Sequence, residues 1–536
     1  MKIMKAAVNP NNLSFRLLIT LVFAAGMTLP VSKSAGADGE PAFDWARTMG
    51  GTTIDVAEAM AIDNAGNVYT AGFFNGTADF DPGTDVFDLT STGEFDIFIS
   101  KLDSDGNFIW GRSMGGANND RPNAIAVDSA GNVYTAGYFK NTADLDPGAG
   151  IFNLTSAGAY DIFISKLDSA GNFVWARSIG SSDYDDALAI ALDSAGNVYA
   201  TGYFNGTVDF DPGVGTFNLT SDGEMADIFV IKLDSAGDFV WARAMGSPDH
   251  DAAYALAVDG TGNVFTAGYF RTTADFDPGV GVYNLTSGGF ADIFVSKLDS
   301  DGSFAWAKAM GGTTNESEYA KAIAVDTTGN VYTAGVFGLT ADFDPGVGTF
   351  NLTSVGADDI FCSKLDSDGN FVWAKAIGGP SWDAADAITV DSAGNVYVAG
   401  GFTETADFDP GASISNLTSA GDYDIFVSKF DNTGNFTWAR AVGGTQEDGA
   451  FAVALDSEGY VYTAGEFIGT VDFDPGAGTF NLIGAGYYDI FVSKDAIENY
   501  PPPAPANISA SDGDYSDIVH LTWNASSVAA SYQVYR

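Results

Sequence analysis

Short runs of apolar and β-branched residues recur along most of the chain, and turn residues separate them. Between residues 124 and 177, four of these runs follow one another as AIAVD, NVYTAGYF, DIFISKL and NFVWAR. Runs of this length that are rich in Val, Ile, Tyr, Phe and Trp are typical of β-strands. The pattern therefore predicts an all-β chain that is built from groups of four strands.

The four-strand group is repeated along the chain. An F/L-DPG segment marks each copy and recurs every 65 to 67 residues, with its proline at positions 82, 147, 212, 278, 345, 410 and 475. A fixed period is typical of propellers and solenoids, in which neighbouring copies bury each other's apolar faces. The chain contains seven copies.

Two turns predict which strands pair. In VDSAGNVY (127–134) and LDSDGNFIW (102–110), an Asp and an Asn flank three residues that end in glycine. This spacing suits a three-residue hairpin in which Gly131 or Gly106 adopts the left-handed conformation. We expect the first strand of each copy to pair with the second, and the third with the fourth. A calcium loop is the alternative, but most copies, such as those that read DSAG or DTTG, lack its second carboxylate.

The strand pattern also indicates the architecture. Apolar residues occupy neighbouring positions in DIFVS and FVWA, so both faces of each sheet must be covered. Seven four-stranded antiparallel sheets of this kind fit a seven-bladed β-propeller. The small residues of AIAV suit its crowded axis. The wider space between blades suits the repeated tryptophans, for which an exposed binding groove is the alternative: Trp45, Trp110, Trp175, Trp241, Trp306, Trp373 and Trp438.

Each end of the repeat region holds half of a copy. The last copy stops after DIFVSK (489–494) and has no WAR strand, whereas FDWAR (43–47) has no DIF strand before it. If the N-terminal segment is the fourth strand of the last blade, the propeller spans residues 43–494 and closes without an exposed edge. An open solenoid would leave both half-copies without a partner.

The recurrent DxxGNVYxAGxF and DxFVxKLDxxGxxxWAxxxGG segments resemble those of bacterial extracellular β-propeller proteins with SBBP repeats. The resemblance covers about residues 43 to 494. It implies a secreted or surface-associated seven-bladed propeller and brings no established catalytic residues. The TADFDPGxGxFNLTS segment of each copy is longer than a plain blade needs.

Composition excludes several functions. The chain has 70 acidic and 23 basic residues and a net charge of -47, so its field repels nucleic acid and anionic lipid. It has two histidines, which argues against a Ser-His-Asp triad and a multi-histidine zinc site. The single cysteine, Cys362, lies in an apolar strand, where we expect it to be packed.

The terminal segments carry other signals. Basic residues, the apolar run 17–27 and SAGA ending at Ala37 predict a secretory signal peptide over residues 1–37, with no membrane insertion after its cleavage. Residues 495–507 form a proline-rich linker. Residues 508–536 resemble the start of a fibronectin type III module, a truncated β-sandwich of about three strands out of seven.

Paired aspartates in the long segments are the weak candidates for a metal site. Carboxylates spaced as D-x-D could bind calcium, but Asp before Pro-Gly also begins a turn and accepts backbone hydrogen bonds. The turn interpretation is preferred, since an active site is normally unique and these pairs recur. The pairs considered are Asp79 and Asp81, Asp144 and Asp146, and Asp209 and Asp211.

The connections from the second to the third strand and from the fourth strand to the next copy emerge at one end of the ring. We expect this loop-rich end to be strongly acidic, with the D-x-D pairs on it. The crossover connections contribute the acidic residues Asp183, Asp185, Asp186, Asp249 and Asp251. They also contain His250, which breaks the repeat pattern and is interpreted as loop variation or as a recognition element.

The sequence thus predicts a non-enzymatic, secreted or cell-surface propeller, which is monomeric and displays or binds a protein or glycan without a cofactor. A calcium-dependent structural or adhesive protein is the first alternative. A hydrolase or lyase is the second, and it would require two carboxylates about 5 to 10 Å apart in a pocket.

Overall fold

The computed structural model of the protein describes residues 4–7, 17–18, 41–313, 318–476, 478–496, 506–511, 518–524 and 533–534. All regular structure in these residues is β-strand, and the strands pair antiparallel. The fold is an all-β propeller, as predicted. The described part of the chain contains no helix with the length and apolar character of a membrane span.

Each repeat supplies strands that pair in the order first, second, third, fourth. The first strands are Asp55–Ile62, Arg121–Val127, Asp186–Leu192, Ala252–Val258, Tyr319–Val325, Asp383–Val390 and Gly449–Leu455. The second strands are Val68–Phe74, Val133–Phe139, Val198–Phe204, Val264–Phe270, the first part of Val331–Asp342, Val396–Phe402 and Val461–Phe467.

The third and fourth strands complete each unit. The third strands are Asp96–Leu102, Asp161–Leu167, Asp227–Leu233, Asp292–Leu298, the last part of Asn351–Leu365, Asp424–Phe430 and Asp489–Ala496. The fourth strands are Phe108–Gly116, Phe173–Ile179, Phe239–Met245, Phe304–Gly312, Phe371–Ile377, Phe436–Val442 and, for the last unit, Ala42–Gly51.

The two half-copies of the repeat pair with each other. Ala42–Gly51 lies antiparallel to Asp489–Ala496, with Trp45 opposite Lys494 and Met49 opposite Ile490. The N-terminal strand is therefore the antiparallel neighbour of the third strand of the last unit.

The tryptophans lie between units, as predicted. The Trp45 indole N–H donates to the Ser104 carbonyl of the next unit at 3.2 Å, and its ring lies against Gly106. The same bond recurs one unit later from Trp110 to the Ser169 carbonyl. Gly106 and Gly131 have φ of 75° and 80°, which is the expected left-handed turn conformation. Cys362 is buried and packed in the core.

The long segment between second and third strands forms a short hairpin. Its strands are Thr77–Asp79 with Asp88–Thr90, Thr142–Asp144 with Asn153–Thr155, Thr207–Asp209 with Asn218–Thr220, Thr273–Asp275 with Asn284–Thr286, Thr405–Asp407 with Asn416–Thr418 and Thr470–Asp472 with Asn481–Ile483; in the fifth unit they continue Val331–Asp342 and Asn351–Leu365. This hairpin also joins neighbouring units, because Asp79 lies opposite Gly50 and Asp144 opposite Gly115 at the ends of the preceding fourth strands.

The predicted position of these hairpins at the loop-rich end is wrong. From Asp79 the hairpin runs back along the preceding fourth strand. Its tip at Asp81 and Pro82 lines a groove of about 440 Å³. Asn107, in the turn between third and fourth strands, lines the same groove, so the tip lies at the end opposite the loop-rich one. The reason is apolar burial: Phe80 is fully buried in the wedge between two units.

The terminal predictions fall mostly outside the described residues. Position 37, the expected signal-peptide cleavage point, and 497–505 of the linker lie outside them. In the segment predicted as a β-sandwich, Ile518–Asn524 pairs with Ala506–Ser511 and with Met4–Ala7. Leu17–Leu18 pairs with Gln533–Val534.

Candidate functional site: the central channel and its mouth

Every first strand contains a β-bulge at the same place. In the first unit the bulge falls between Ala57 and Ala59, opposite the glycine of the second strand, Gly72. A Cβ on Gly72 would overlap the Val56 carbonyl oxygen and lie 2.8 Å from the Phe98 ring. The bulged residue, Glu58 in this unit, lines the central channel. The bulge thus directs one side chain per unit toward the axis.

The channel has a volume of about 210 Å³ and is lined by all the first strands. The two positions after each bulge are apolar in every unit, an Ala followed by Met, Ile, Leu or Val. The bulge position is different in each unit: it holds Glu58, Asn123, Leu188, Tyr254, Lys321, Asp386 and Phe451. The channel is therefore chemically asymmetric although its backbone repeats.

Charges of both signs meet in the channel. The Lys321 ammonium lies 2.6 Å from the Asp386 carboxylate. Burial raises the pKa of Glu58 to about 7; Asp386 adds to this rise, and Lys321 and Arg121 oppose it. The Asn123 amide donates to the Asp186 carboxylate at 2.8 Å, and burial raises the pKa of Asp186 well above its ordinary value. Two of the bulge residues, Glu58 and Asp386, thus form the carboxylate part of an asymmetric polar lining.

Aromatic side chains continue the asymmetry at the loop-rich end. His250 stacks on Tyr269, whose hydroxyl lies 2.8 Å from His250 Nδ1, and it also contacts Tyr203. Tyr269 further contacts Tyr254 and Tyr319. We call these five residues the mouth cluster. Burial lowers the pKa of His250, and the nearby Arg271 guanidinium lowers it further.

The loop-rich end also presents exposed rings. Tyr184 is 55% exposed and Trp382 is 56% exposed, and both lie in connections from a fourth strand to the next first strand. Phe290 and Tyr487 lie just before third strands and are exposed as well. The mouth cluster and these rings together provide a surface at the loop-rich end that an incoming molecule can contact.

The D-x-D aspartates act as turn residues. Asp79 Oδ1 accepts the backbone N–H groups of Asp81 and Phe87 at 3.0 and 2.8 Å, and Asp81 Oδ1 accepts that of Gly83. The same bonds recur for the other candidate pairs, Asp144 with Asp146 and Asp209 with Asp211. Across the described ranges no group of three or more His, Cys, Asp or Glu residues could hold a metal ion.

Replacing Asp79 by alanine should lower the free energy of unfolding by about 1 to 3 kcal/mol, because two backbone N–H groups lose their acceptor. Urea denaturation followed by circular dichroism measures this. Asp88→Ala is the matched control, since Asp88 is exposed directly opposite Asp79 in the same hairpin, and it should change stability by less than about 0.5 kcal/mol. Equal losses in both variants would contradict the turn role.

The expectation that all the crossover aspartates form an acidic surface is wrong. Asp185 and Asp251 are fully buried and Asp186 is 7% exposed. Asp185 and Asp251 each accept backbone N–H groups: those of Ser181 and Asn205 for Asp185, and those of Ser247 and Arg271 for Asp251. These carboxyl groups are buried because they accept hydrogen bonds from the backbone of the connection between two units and from the end of the second strand. Asp183 and Asp249 remain at the surface.

Sequence reasoning missed the channel residues. Their signal is present, because the third residue of DAxAIAV is the variable position inside an otherwise regular segment. Strand periodicity alone does not reveal a bulge, so the pattern leaves the role of this position unspecified.

Comparisons with known proteins agree with the fold. A model of the SBBP β-propeller repeat matches residues 109–138. The chain is 23% identical over 82% of its length to 37% of an uncharacterised WD repeat-containing protein of Acanthamoeba polyphaga mimivirus. It is 25% identical over 83% of its length to 46% of the regulatory protein FlaEY of Caulobacter vibrioides. The chain thus spans less than half the length of these curated relatives.

Solved propellers are also similar. The WD40 β-propeller domain of Doa1 is 10% identical, with a TM-score of 0.38 over 85% of this chain and 97% of that one. Sqt1 of Chaetomium thermophilum is 11% identical, with a TM-score of 0.37 over 85% of this chain and all of that one. The repeat match and the mimivirus relative indicate a propeller-repeat protein that is similar to a WD repeat-containing protein.

Proposed function

We propose that the protein is a seven-bladed propeller, closed by its N-terminal strand, that binds a partner protein at the mouth of its central channel and catalyses no reaction. Closure is supported by the pairing of Ala42–Gly51 with Asp489–Ala496 and by the contact between the first strands of the last and first units. The signal-like residues 1–37 support export to the surface or medium.

The observation that carries the binding role is the variation at the bulge position. Backbone pairing is the same in every unit, so the fold does not require seven different side chains there. Tyr254 is of a type that binds tightly at protein interfaces, as are the exposed Tyr184 and Trp382 at the same end. A protein partner accounts for this mixture of rings and charges.

The proposal is tested with a random-peptide display library and a glycan array, both probed with the purified wild-type protein. Peptides recovered from the library should lose at least ten-fold in affinity on a Tyr184→Ala, Trp382→Ala variant, measured by calorimetry. Both side chains are exposed, so the variant should fold normally. The control, Val214→Ser with Val347→Ser, changes fully exposed hairpin tips and should leave affinity unchanged.

Three outcomes would overturn the proposal. Peptides that bind both variants equally well would place binding elsewhere, and ligands found only on the glycan array would replace the protein partner with a carbohydrate. Turnover of an array ligand would instead favour an enzyme that uses the channel carboxylates.

A further inference from the structure

Two buried carboxyl groups meet at each junction between units. One belongs to the first residue of a third strand, and the other lies at or just before the first strand of the following unit. The pairs are Asp96 with Asp120, Asp161 with Asp185, Asp227 with Asp251, Asp292 with Glu318, Asp359 with Asp383, Asp424 with Asp448 and Asp489 with Asp55. Every one of these residues is at most 6% exposed. We call them the junction pairs.

The two groups of a junction pair approach closely. A Cβ on Gly50 would overlap Asp489 Oδ1 and would lie 3.3 Å from Asp55 Oδ2, so both carboxyl groups reach the same glycine. At the next junction, Asp120 Oδ2 accepts the Gly116 backbone N–H, and the neighbouring Gly115 lies against the Asp96 carboxyl group. Within the described ranges no ion pair neutralises any of the aspartates of the junction pairs.

In the described part of the chain, one carboxyl oxygen of the third-strand aspartate has no hydrogen-bond partner, as the first of these units shows. Both oxygens of Asp120 accept backbone N–H groups, from Lys140 and Gly116. Asp96 Oδ2 accepts the Thr92 N–H and hydroxyl, whereas Asp96 Oδ1 is buried and has no hydrogen-bond partner among the described residues. The same oxygen is unpartnered at five further junctions, in Asp161, Asp227, Asp292, Asp359 and Asp424. An ionised carboxylate cannot donate, but a protonated one can.

We propose that each of these six junction pairs holds one proton, carried on the unpartnered oxygen of the third-strand aspartate and donated to its neighbour, and that these protons are part of the folded ring. Two ionised carboxylates at one buried junction repel each other and lose hydration. A shared proton removes the repulsion and satisfies the unpartnered oxygen in one step.

The raised pKa values of the junction carboxyl groups support the proposal. Burial raises the pKa of Asp120 to about 7, backbone hydrogen bonds oppose the rise, and Asp96 adds to it. For the same main reason the pKa of Asp227 is about 8, with Asp251 and Asp222 adding to the rise. The other charged neighbours of the junction pairs are also acidic, namely Asp249, Asp358, Glu404 and Glu447. Lys140 contributes only its backbone, and its ammonium lies 5.3 Å from the Tyr160 ring.

A shared cation is the competing explanation. Calcium takes six to eight oxygen ligands. A junction pair offers two carboxyl groups whose oxygens mostly accept backbone N–H bonds, and in the part of the chain that the structure describes no third acidic residue is placed to complete a metal site with them. The proton therefore fits better.

The sign of the pH effect follows from these values. Unfolded aspartates lose their protons near pH 4, whereas the pKa in the folded protein is raised to about 7 for Asp120, about 6 for Asp185 and about 8 for Asp227. The stability that these pairs contribute is therefore full below about pH 4 and is lost as the pH rises toward these pKa values. The midpoint of thermal unfolding should fall steadily between about pH 5 and pH 8.

The test is a triple variant, Asp96→Asn, Asp161→Asn, Asp424→Asn. Each asparagine oxygen can keep the local N–H bond, while its amide N–H replaces the proton. The variant should melt like the wild type near pH 5 and clearly higher than it near pH 8. Infrared spectroscopy should detect protonated carboxyl groups in the wild type at pH 7 and fewer in the variant.

The matched control changes an aspartate at the other end of each of the same third strands: Asp103→Asn, Asp168→Asn, Asp431→Asn. Hydrogen bonds lower the pKa of all three, so this variant should keep both the pH slope and the infrared band. A wild-type spectrum without protonated carboxyl groups at pH 7 would overturn the proposal, even if the triple variant fails to fold. A midpoint that rises with calcium chloride and falls with EDTA would replace the proton with a cation.

Discussion

Replacing Gly72 by alanine should destabilise the protein by about 3 kcal/mol or more, the upper range for overpacking a core. The added Cβ would overlap the Val56 carbonyl oxygen and lie 2.9 Å from Ala57 Cα. These are backbone atoms of the bulged first strand, so no side-chain rotation can relieve the contact. Guanidinium denaturation followed by circular dichroism measures the loss.

Gly260→Ala is the control for this experiment. Gly260 lies in an exposed turn, where an added Cβ would meet no heavy atom within 4 Å, and it takes the place of Ser129 and Thr327 in other units. Its replacement should leave the free energy of unfolding unchanged or raise it by about 0.4 to 1 kcal/mol, because alanine lowers the conformational entropy of the unfolded chain. If Gly72→Ala were as mild as Gly260→Ala, the bulge would not constrain the fold as described.

Replacing Trp45 by alanine should lower the free energy of unfolding by about 3 to 5 kcal/mol. Its ring is 6% exposed, contacts Tyr462 edge-on and donates to Ser104, so it joins the last unit to the first. The loss should appear as an earlier, less cooperative thermal transition, because the junction that depends on the N-terminal strand opens first.

Trp382→Ala is the corresponding control, since this tryptophan is exposed and lies in a connection at the loop-rich end. It should change stability by less than about 0.5 kcal/mol. Equal effects of the two replacements, or a negligible effect of Trp45→Ala, would mean that the N-terminal strand is not needed to hold the last unit.

The fold is predictable because its determinants are local and repeated. The glycine turns, the apolar runs on both sheet faces and the two half-copies at residues 43–47 and 489–494 each contain the information for one pairing. Trp45 is recognisable as an inter-unit residue because a large apolar ring at a fixed repeat position needs the wider space.

The site is less predictable because it depends on non-local geometry. The D-x-D segment has the sequence of an exposed loop, but the burial of Phe80 between units turns it toward the other end of the ring. Asp185 and Asp251 have the sequence context of surface charges, and only the approach of two units shows that they are enclosed. The channel position of Glu58 depends on a one-residue bulge, which a strand pattern does not specify.

The bulge separates the inward-facing side chain from the hydrogen-bonding ladder. Since the backbone at this point is held by glycine opposite and by neighbouring alanines, a substitution such as Leu188→Glu would alter the lumen without disturbing strand register. The side chain at the bulge position can therefore be replaced in one unit at a time, as residues are in antibody loops, while the strand pairing around it stays the same.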